Sequence, residues 1–268
     1  MYRPINLMCC LLFSLVACEE AIDWELMPGT NGHLAVEAII TDQFIQQSIR
    51  LSQSYDGLNG AVPAVTDALV TVAVNGVVFA FVPDLSEPGL YKSEVPFSAI
   101  KDLEYTLDIR WKDQKYTATS QLSSVAPMPN IRFRQIGVPD SLTFGDFVPL
   151  YNANQQAMYE MNIDWSHLSN GPKTSAKMIF YTFNTLDVSE LVRPPQDTVV
   201  FPRGSIIIAK KYGLNDDFAA YLRALAIETT WKGGAFYGTS ANLPTNISED
   251  GLGFFSTCAI LVDTLVAE

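Results

Sequence analysis

Two histidines in 268 residues, His33 and His167, leave little imidazole for catalysis or for a zinc site. Cysteine is nearly as scarce. Cys9 and Cys10 lie inside the first apolar run, Cys18 closes it, and Cys258 stands alone beyond it. One leftover thiol cannot make an intramolecular disulfide, so in Ser256-Thr257-Cys258-Ala259-Ile260 it reads as a small buried hydrophobe. Positive charge is also short. Seventeen Lys and Arg face 29 Asp and Glu, and a net charge of −12 repels phosphates, so nucleic acid is set aside as a partner. No Gly-x-Ser-x-Gly elbow, phosphate-binding loop or spaced Asp-x-Asp calcium loop occurs. Cofactors and metals are therefore expected to be absent. With 48% apolar and 17% charged residues, the chain can bury a sizeable core, and intrinsic disorder is excluded.

The first 18 residues bear on the compartment. Arg3 precedes an apolar run of eleven residues, 7–17, too short to span a bilayer whose core is about 30 Å thick, and it reads as a secretory signal. Leu15-Val16-Ala17-Cys18 resembles the bacterial lipobox, which implies cleavage before Cys18 and diacylation of that residue. Acyl chains contribute about 0.8 kcal/mol per buried CH₂, so two or three of them hold a domain on a membrane. Glu19 and Glu20 follow directly and are similar to the acidic signal that sends Bacteroidota lipoproteins to the outer face of the outer membrane; the bland reading is an acidic linker. Losing residues 1–17 removes only Arg3 among charged groups and leaves a net charge of −13.

Beyond the leader the periodicity is mostly two. Leu34, Val36, Ala38 and Ile40 alternate with their neighbours, residues 48–52 alternate again, and residues 68–74 are rich in Thr and Val. Asn75-Gly76 between two such runs is a hairpin signal, since both central residues of a type I′ turn need positive φ. Further strands are expected at 89–93, 104–111 and 115–121. The Pro-bearing stretch 125–130 cannot continue a ladder and reads as a linker. In the second half, strands are expected at 159–165, 178–183, 205–209 and 252–262. The main helix is expected near 216–229, with Asn215 as its cap and Asp216 and Asp217 favouring its positive end. The expected class is mainly β: an N-terminal Ig-like or transthyretin-like β-sandwich at 33–124, with a mixed barrel as its rival, then a second β-rich domain at 131–268 with one main helix. Residues 1–17 are the signal peptide and 18–32 a lipidated tether.

These motifs resemble those of the Bacteroidota lipoproteins grouped as domain-of-unknown-function family 4249. The likeness rests on Leu34 through Asp42, on Ile49-Arg50-Leu51-Ser52-Gln53-Ser54-Tyr55, on residues 65–74, and on Pro88-Gly89-Leu90-Tyr91. It continues through Tyr105-Thr106-Leu107-Asp108-Ile109 and Tyr116-Thr117-Ala118-Thr119-Ser120 to Pro244-Thr245-Asn246-Ile247 and Gly251-Leu252-Gly253-Phe254-Phe255. Ser248-Glu249-Asp250 departs from the family's small Gly-rich turn. The resemblance implies an outer-membrane lipoprotein, commonly found beside TonB-dependent transporters, with no catalytic motif.

The candidate chemistry divides the same way at each position. His167, flanked by Ser166 and Ser169, is either a general base or a loop histidine, and His33 at a strand start is equally bland. Asp216 and Asp217 form a helix first turn before they form an acid-base pair, and Glu249-Asp250 is an acidic turn before it is a cation site. Asp140-Ser141-Leu142, Asp197-Thr198-Val199 and Asp263-Thr264-Leu265 fit a short O-glycosylation pattern of exported Bacteroidota proteins. The segment 231–238 pairs two glycines with Trp231, Phe236 and Tyr237; its aromatics either pack on the preceding helix or contact a partner. The expected function is a non-enzymatic binding or accessory subunit of a TonB-dependent transport system, held at the outer membrane through Cys18. The alternatives are an adhesion or envelope-structural Ig-like module and an unrecognised hydrolase.

Overall fold

The structure is a computed structural model, and it describes residues 32–54, 61–146, 148–149, 151–169, 171–184, 198–229 and 243–268. The first unit opens with β1 (Leu34–Thr41), β2 (Ser48–Gln53), β3 (Leu69–Val74) and β4 (Val77–Pro83). It continues with β5 (Leu90–Ser93), β6 (Glu104–Trp111) and β7 (Gln114–Gln121). The alternation read in the sequence sets their faces: Leu34, Val36, Ala38 and Ile40 of β1 and Tyr105, Leu107, Ile109 and Trp111 of β6 all enter one core. The β3–β4 turn is the expected hairpin, with Asn75 at φ 47 and Gly76 at φ 79. Two tyrosines place their rings in that core and still satisfy their hydroxyls, since Tyr91 accepts from Ala68 N at 3.0 Å and Tyr105 from Ile100 N at 2.8 Å.

The eighth strand comes from the far end of the chain. The strand expected over 252–262 is two strands, β14 (Leu252–Cys258) and β15 (Ile260–Val266), which part at Ala259 and enter different sheets. β14 lies parallel to β1 in the order β14-β1-β2-β5-β4-β3-β6-β7, while every other neighbouring pair is antiparallel. This corrects the expected division: residues 252–258 belong to the first sheet and not to a separate 131–268 domain. The burial pattern explains the misreading. From Phe254 to Cys258 every residue is buried, so the run carries no period to say which core it joins.

The two ends of this sheet, β7 and β14, meet along a seam of side-chain bonds, so the sheet wraps around its own core. Thr257 N donates to Ser120 Oγ at 2.9 Å, and Asn246 Nδ2 donates to Thr119 O at 3.2 Å and Phe255 O at 2.8 Å while its Oδ1 accepts from Phe255 N at 3.0 Å. The Gly-x-Gly-x-Phe pattern has a steric reason here. Gly253 sits at φ +86, and a Cβ on it would lie 2.0 Å from Val36 O, so only glycine lets β14 come this close to β1. Phe255 then turns wholly into the core.

The second unit stacks two small sheets. One is β11-β10-β13-β15, built from β10 (Ala157–Asp164), β11 (Ser175–Thr182), β13 (Ile206–Gly213) and β15. The other is β12-β9-β8, built from β8 (Phe133–Gln135), β9 (Ser141–Phe144) and β12 (Phe201–Pro202). Between them pack Leu142, Phe144, Tyr159, Met161, Trp165, Phe201 and Ile207. The three short strands of the smaller sheet were not expected from the sequence, being two to four residues long. The helix α1 (Asp216–Thr229) follows β13 as expected and crosses to the first unit, where Phe218 stacks on Phe254 with ring centroids 5.2 Å apart. The fold is therefore mainly β, an eight-stranded β unit followed by a second β-rich unit with one helix among the described residues. No described helix is long and apolar enough to cross a membrane.

Candidate functional site at the junction of the two units

Three pieces of backbone converge where the units meet: the start of the linker, the β14–β15 crossing and the end of β13. Ser123 N donates to Thr257 O at 3.2 Å, Ala259 N to Ser123 O at 2.9 Å, and Gly213 N to Ala259 O at 3.0 Å. Ser124 lies so close to Gly213 that a Cβ there would be 2.1 Å from Ser124 O. Beside this point a cleft of about 540 Å³ opens between residues 122–126, residues 153–156, Asn184, Leu214 and Asp216.

Four amide side chains line it, Asn154, Gln155, Gln156 and Asn184. The helix start supplies a carboxylate: Asn215 Oδ1 caps α1 by accepting from Phe218 N at 2.8 Å, which leaves Asp216 facing the cleft. Gln156 Nε2 donates to Asp216 Oδ1 at 2.7 Å, and Asn184 Nδ2 lies 3.4 Å from the same atom. Asp216 is thus tied into a polar network as well as into the helix first turn. Behind Gln155 lies Lys211, 2% exposed, whose Nζ donates to Ala126 O and Pro127 O, both at 2.9 Å, and to Gln155 Oε1 at 3.2 Å. Burial pulls the Lys211 pKa below its usual value. The other half of the Gln155 amide, Nε2, is buried without a partner among the described residues. Such a cleft can accept and donate hydrogen bonds.

The other candidates lie apart from it. His167 is exposed, and its Nε2 sits 3.1 Å from Gly204 O, a carbonyl rather than a nucleophile's hydroxyl. Asp164 beside it is held below the usual carboxylate range, chiefly because its carboxylate accepts from Ser166 N. At His33 the backbone N donates to Ser54 Oγ at 3.0 Å, which fastens the start of β1. Glu249 and Asp250 both adopt φ 56 in the turn that Gly251 N closes onto Ser248 O, so they are turn residues. Cys258 is fully buried, and burial pushes its thiol up to about 12, which makes it inert as a nucleophile at neutral pH. No group of three or more His, Cys, Asp or Glu suited to a metal occurs among the described residues. Of the O-glycosylation-like positions, Ser141 begins β9, Thr198 is exposed, and Thr264 is exposed on β15; Asp197 lies outside the described residues.

Cys18, Glu19, Glu20, Trp231, Phe236 and Tyr237 all lie outside the described residues, and so does most of the tether. The residues that sequence reasoning missed are Lys211 and the adjoining Gln155 and Gln156. A signal for Lys211 was present. Ile207, Ala209 and Lys211 share a parity on β13, and the first two are wholly buried, so the third had to enter the same face.

Comparison with known proteins adds little about activity. No curated protein matches this chain. Among solved structures, a two-fibronectin-type-III-domain segment of chicken tenascin is similar over 69% of this chain and 91% of its own, at 12% identity and a TM-score of 0.20. Residues 19–262 match the family model described as Domain of unknown function (DUF4249), and the chain belongs to that family.

Proposed function

We propose that the chain is a lipid-anchored protein of the outer membrane that faces the cell surface and serves a TonB-dependent transporter as a non-enzymatic binding or accessory subunit. The observation that carries this reading is Leu15-Val16-Ala17-Cys18 followed by Glu19-Glu20, ahead of a mainly β body. The topology supports it. β1 runs from Leu34 to Thr41, and Ile260 N meets Asp42 Oδ1 at 2.9 Å just past its end, so β1 begins at the end of the first sheet away from the second unit. In support of a non-catalytic role, His167 is engaged by a backbone carbonyl and Cys258 is sealed in the core.

Isolation of the native lipoprotein from detergent-solubilised outer membrane tests the reading. Co-recovery of a transporter is the expected result, and recovery of the chain alone under gentle conditions sinks the accessory role. Cys18→Ser should move an otherwise folded protein to the soluble fraction. Should the segment 231–238 be the contact, Trp231→Ala would weaken partner retention by roughly 2 kcal/mol with little change in Tm. If Trp231 packs in the core, it would instead cost about 3 to 5 kcal/mol of stability.

A further inference from the structure

We infer that Lys211 is a clasp that locks the linker 125–130 onto the second unit, so that the two β units move as one body and the junction cleft is held preformed. Pro127 and Pro129 have no N–H, so this stretch cannot join a strand ladder, and its carbonyls need donors from elsewhere. Lys211 supplies them. An ammonium has three N–H donors, and here all three are assigned: Ala126 O and Pro127 O on the linker and Gln155 Oε1 on the loop before β10.

The remaining surroundings fit a fixed cation. Nζ lies 5.3 Å from the centre of the Tyr159 ring, and none of its three acceptors is a carboxylate, so backbone and amide dipoles with an aromatic face take the place of water. The clasp is mounted on β13, an interior strand paired on both sides with β10 and β15, which gives it a rigid base. Just outside the clasp, the close approach of Ser124 O to Gly213 leaves the linker no slack. One side chain thus joins three segments that meet only in the folded state, and two of them, the linker and the 153–156 loop, are walls of the cleft.

The test uses the mature chain with Cys18→Ser and two variants, Lys211→Met, which keeps the stem and removes the donors, and Lys211→Gln, which restores one donor pair. Hydrogen exchange is followed at the amides of Ser123, Gly213 and Ala259, which bond across the junction beside the linker. Nitroxide labels on Asp113→Cys and Thr264→Cys, both exposed, report the separation of the units. The expected result for Lys211→Met is at least tenfold faster exchange at these junction amides and a broadened distance distribution, with unchanged protection in β3 and β10; Lys211→Gln should fall between. Unchanged exchange at the junction amides and a single narrow distance in Lys211→Met would overturn the clasp. So would loss of protection throughout β3 and β10 in both variants, since Lys211 would then support the whole fold and not the linker.

Discussion

The two β units solve the same problem of edges differently. In the first, eight strands wrap until β7 and β14 lie side by side, and Asn246, Ser120 and Thr257 bond across the seam. In the second, the larger sheet ends at β11 and β15, and β15 is guarded by carboxylates: Asp263 Oδ1 accepts from Thr264 N at 2.9 Å, and Asp42 Oδ1 from Ile260 N. An open row of N–H and C=O groups invites pairing with other chains, and charge over an edge is one way to blunt it. Closure is the other, and here it needs a strand that arrives more than 120 residues after β7. The first unit is therefore complete only after all but the last strand of the second has been made, and the boundary in space is not the boundary in sequence.

If the seam is what completes the first unit, breaking it should be costly there. Gly253→Ala brings a methyl to 2.0 Å from Val36 O at a positive φ, and a loss of more than roughly 3 kcal/mol is expected, with amide protection falling first in β1 and β14. A Tm within two degrees of the parent would show that the seam tolerates separation. Asn246→Ala is milder. It leaves Phe255 N without its side-chain acceptor and two carbonyls without their donor, so about 2 to 3 kcal/mol is expected in chemical denaturation, with cooperative unfolding retained.

The second unit should answer to charge instead. Glu160 is partly buried, and burial alone would raise its pKa, but the hydrogen bonds from Lys177 and Asn162 and the charges of Lys177 and Lys210 outweigh it, so the folded value lies below the ordinary one. A carboxylate with a depressed folded pKa adds stability that is complete above its unfolded value and lost as pH falls through the folded one. Glu160→Gln should therefore cost about 1 kcal/mol at pH 7, and the gap to the parent should close below roughly pH 4. A pH-independent difference would assign the loss to packing. The smallest effect expected is at the crossing itself: with its thiol pushed up to about 12 and no exposure, Cys258 should resist alkylation at pH 8 until the chain is unfolded. Ready labelling of the native chain would show that the crossing opens locally.

Much of the local structure was legible. The Asn75-Gly76 hairpin, the alternation along β1, β6 and β10, the linker prolines and the Asn215 cap are all short-range signals, because each depends on one residue's φ preference or on a period of two. The strand read over 252–262 failed where a continuous apolar run conceals a change of partner at Ala259. The short strands β8, β9 and β12 failed because two to four residues cannot display a period. The junction cleft was invisible for a related reason. Gln155, Gln156, Lys211 and Asp216 are ordinary polar residues taken singly, and nothing in their spacing announces that one network joins them to the linker.

The sequence by itself determined the class and the faces: mainly β, alternating apolar faces along the strands, and one capped helix. Those follow from composition and from preferences that act over a few residues. The tertiary structure alone decided that β14 completes the first sheet parallel to β1, that Asn246 rivets its seam, and that Lys211 points its ammonium into the linker. Each of these depends on groups 80 or more residues apart, and pairing across such distances is set by which buried donors and acceptors can satisfy one another once the core has formed.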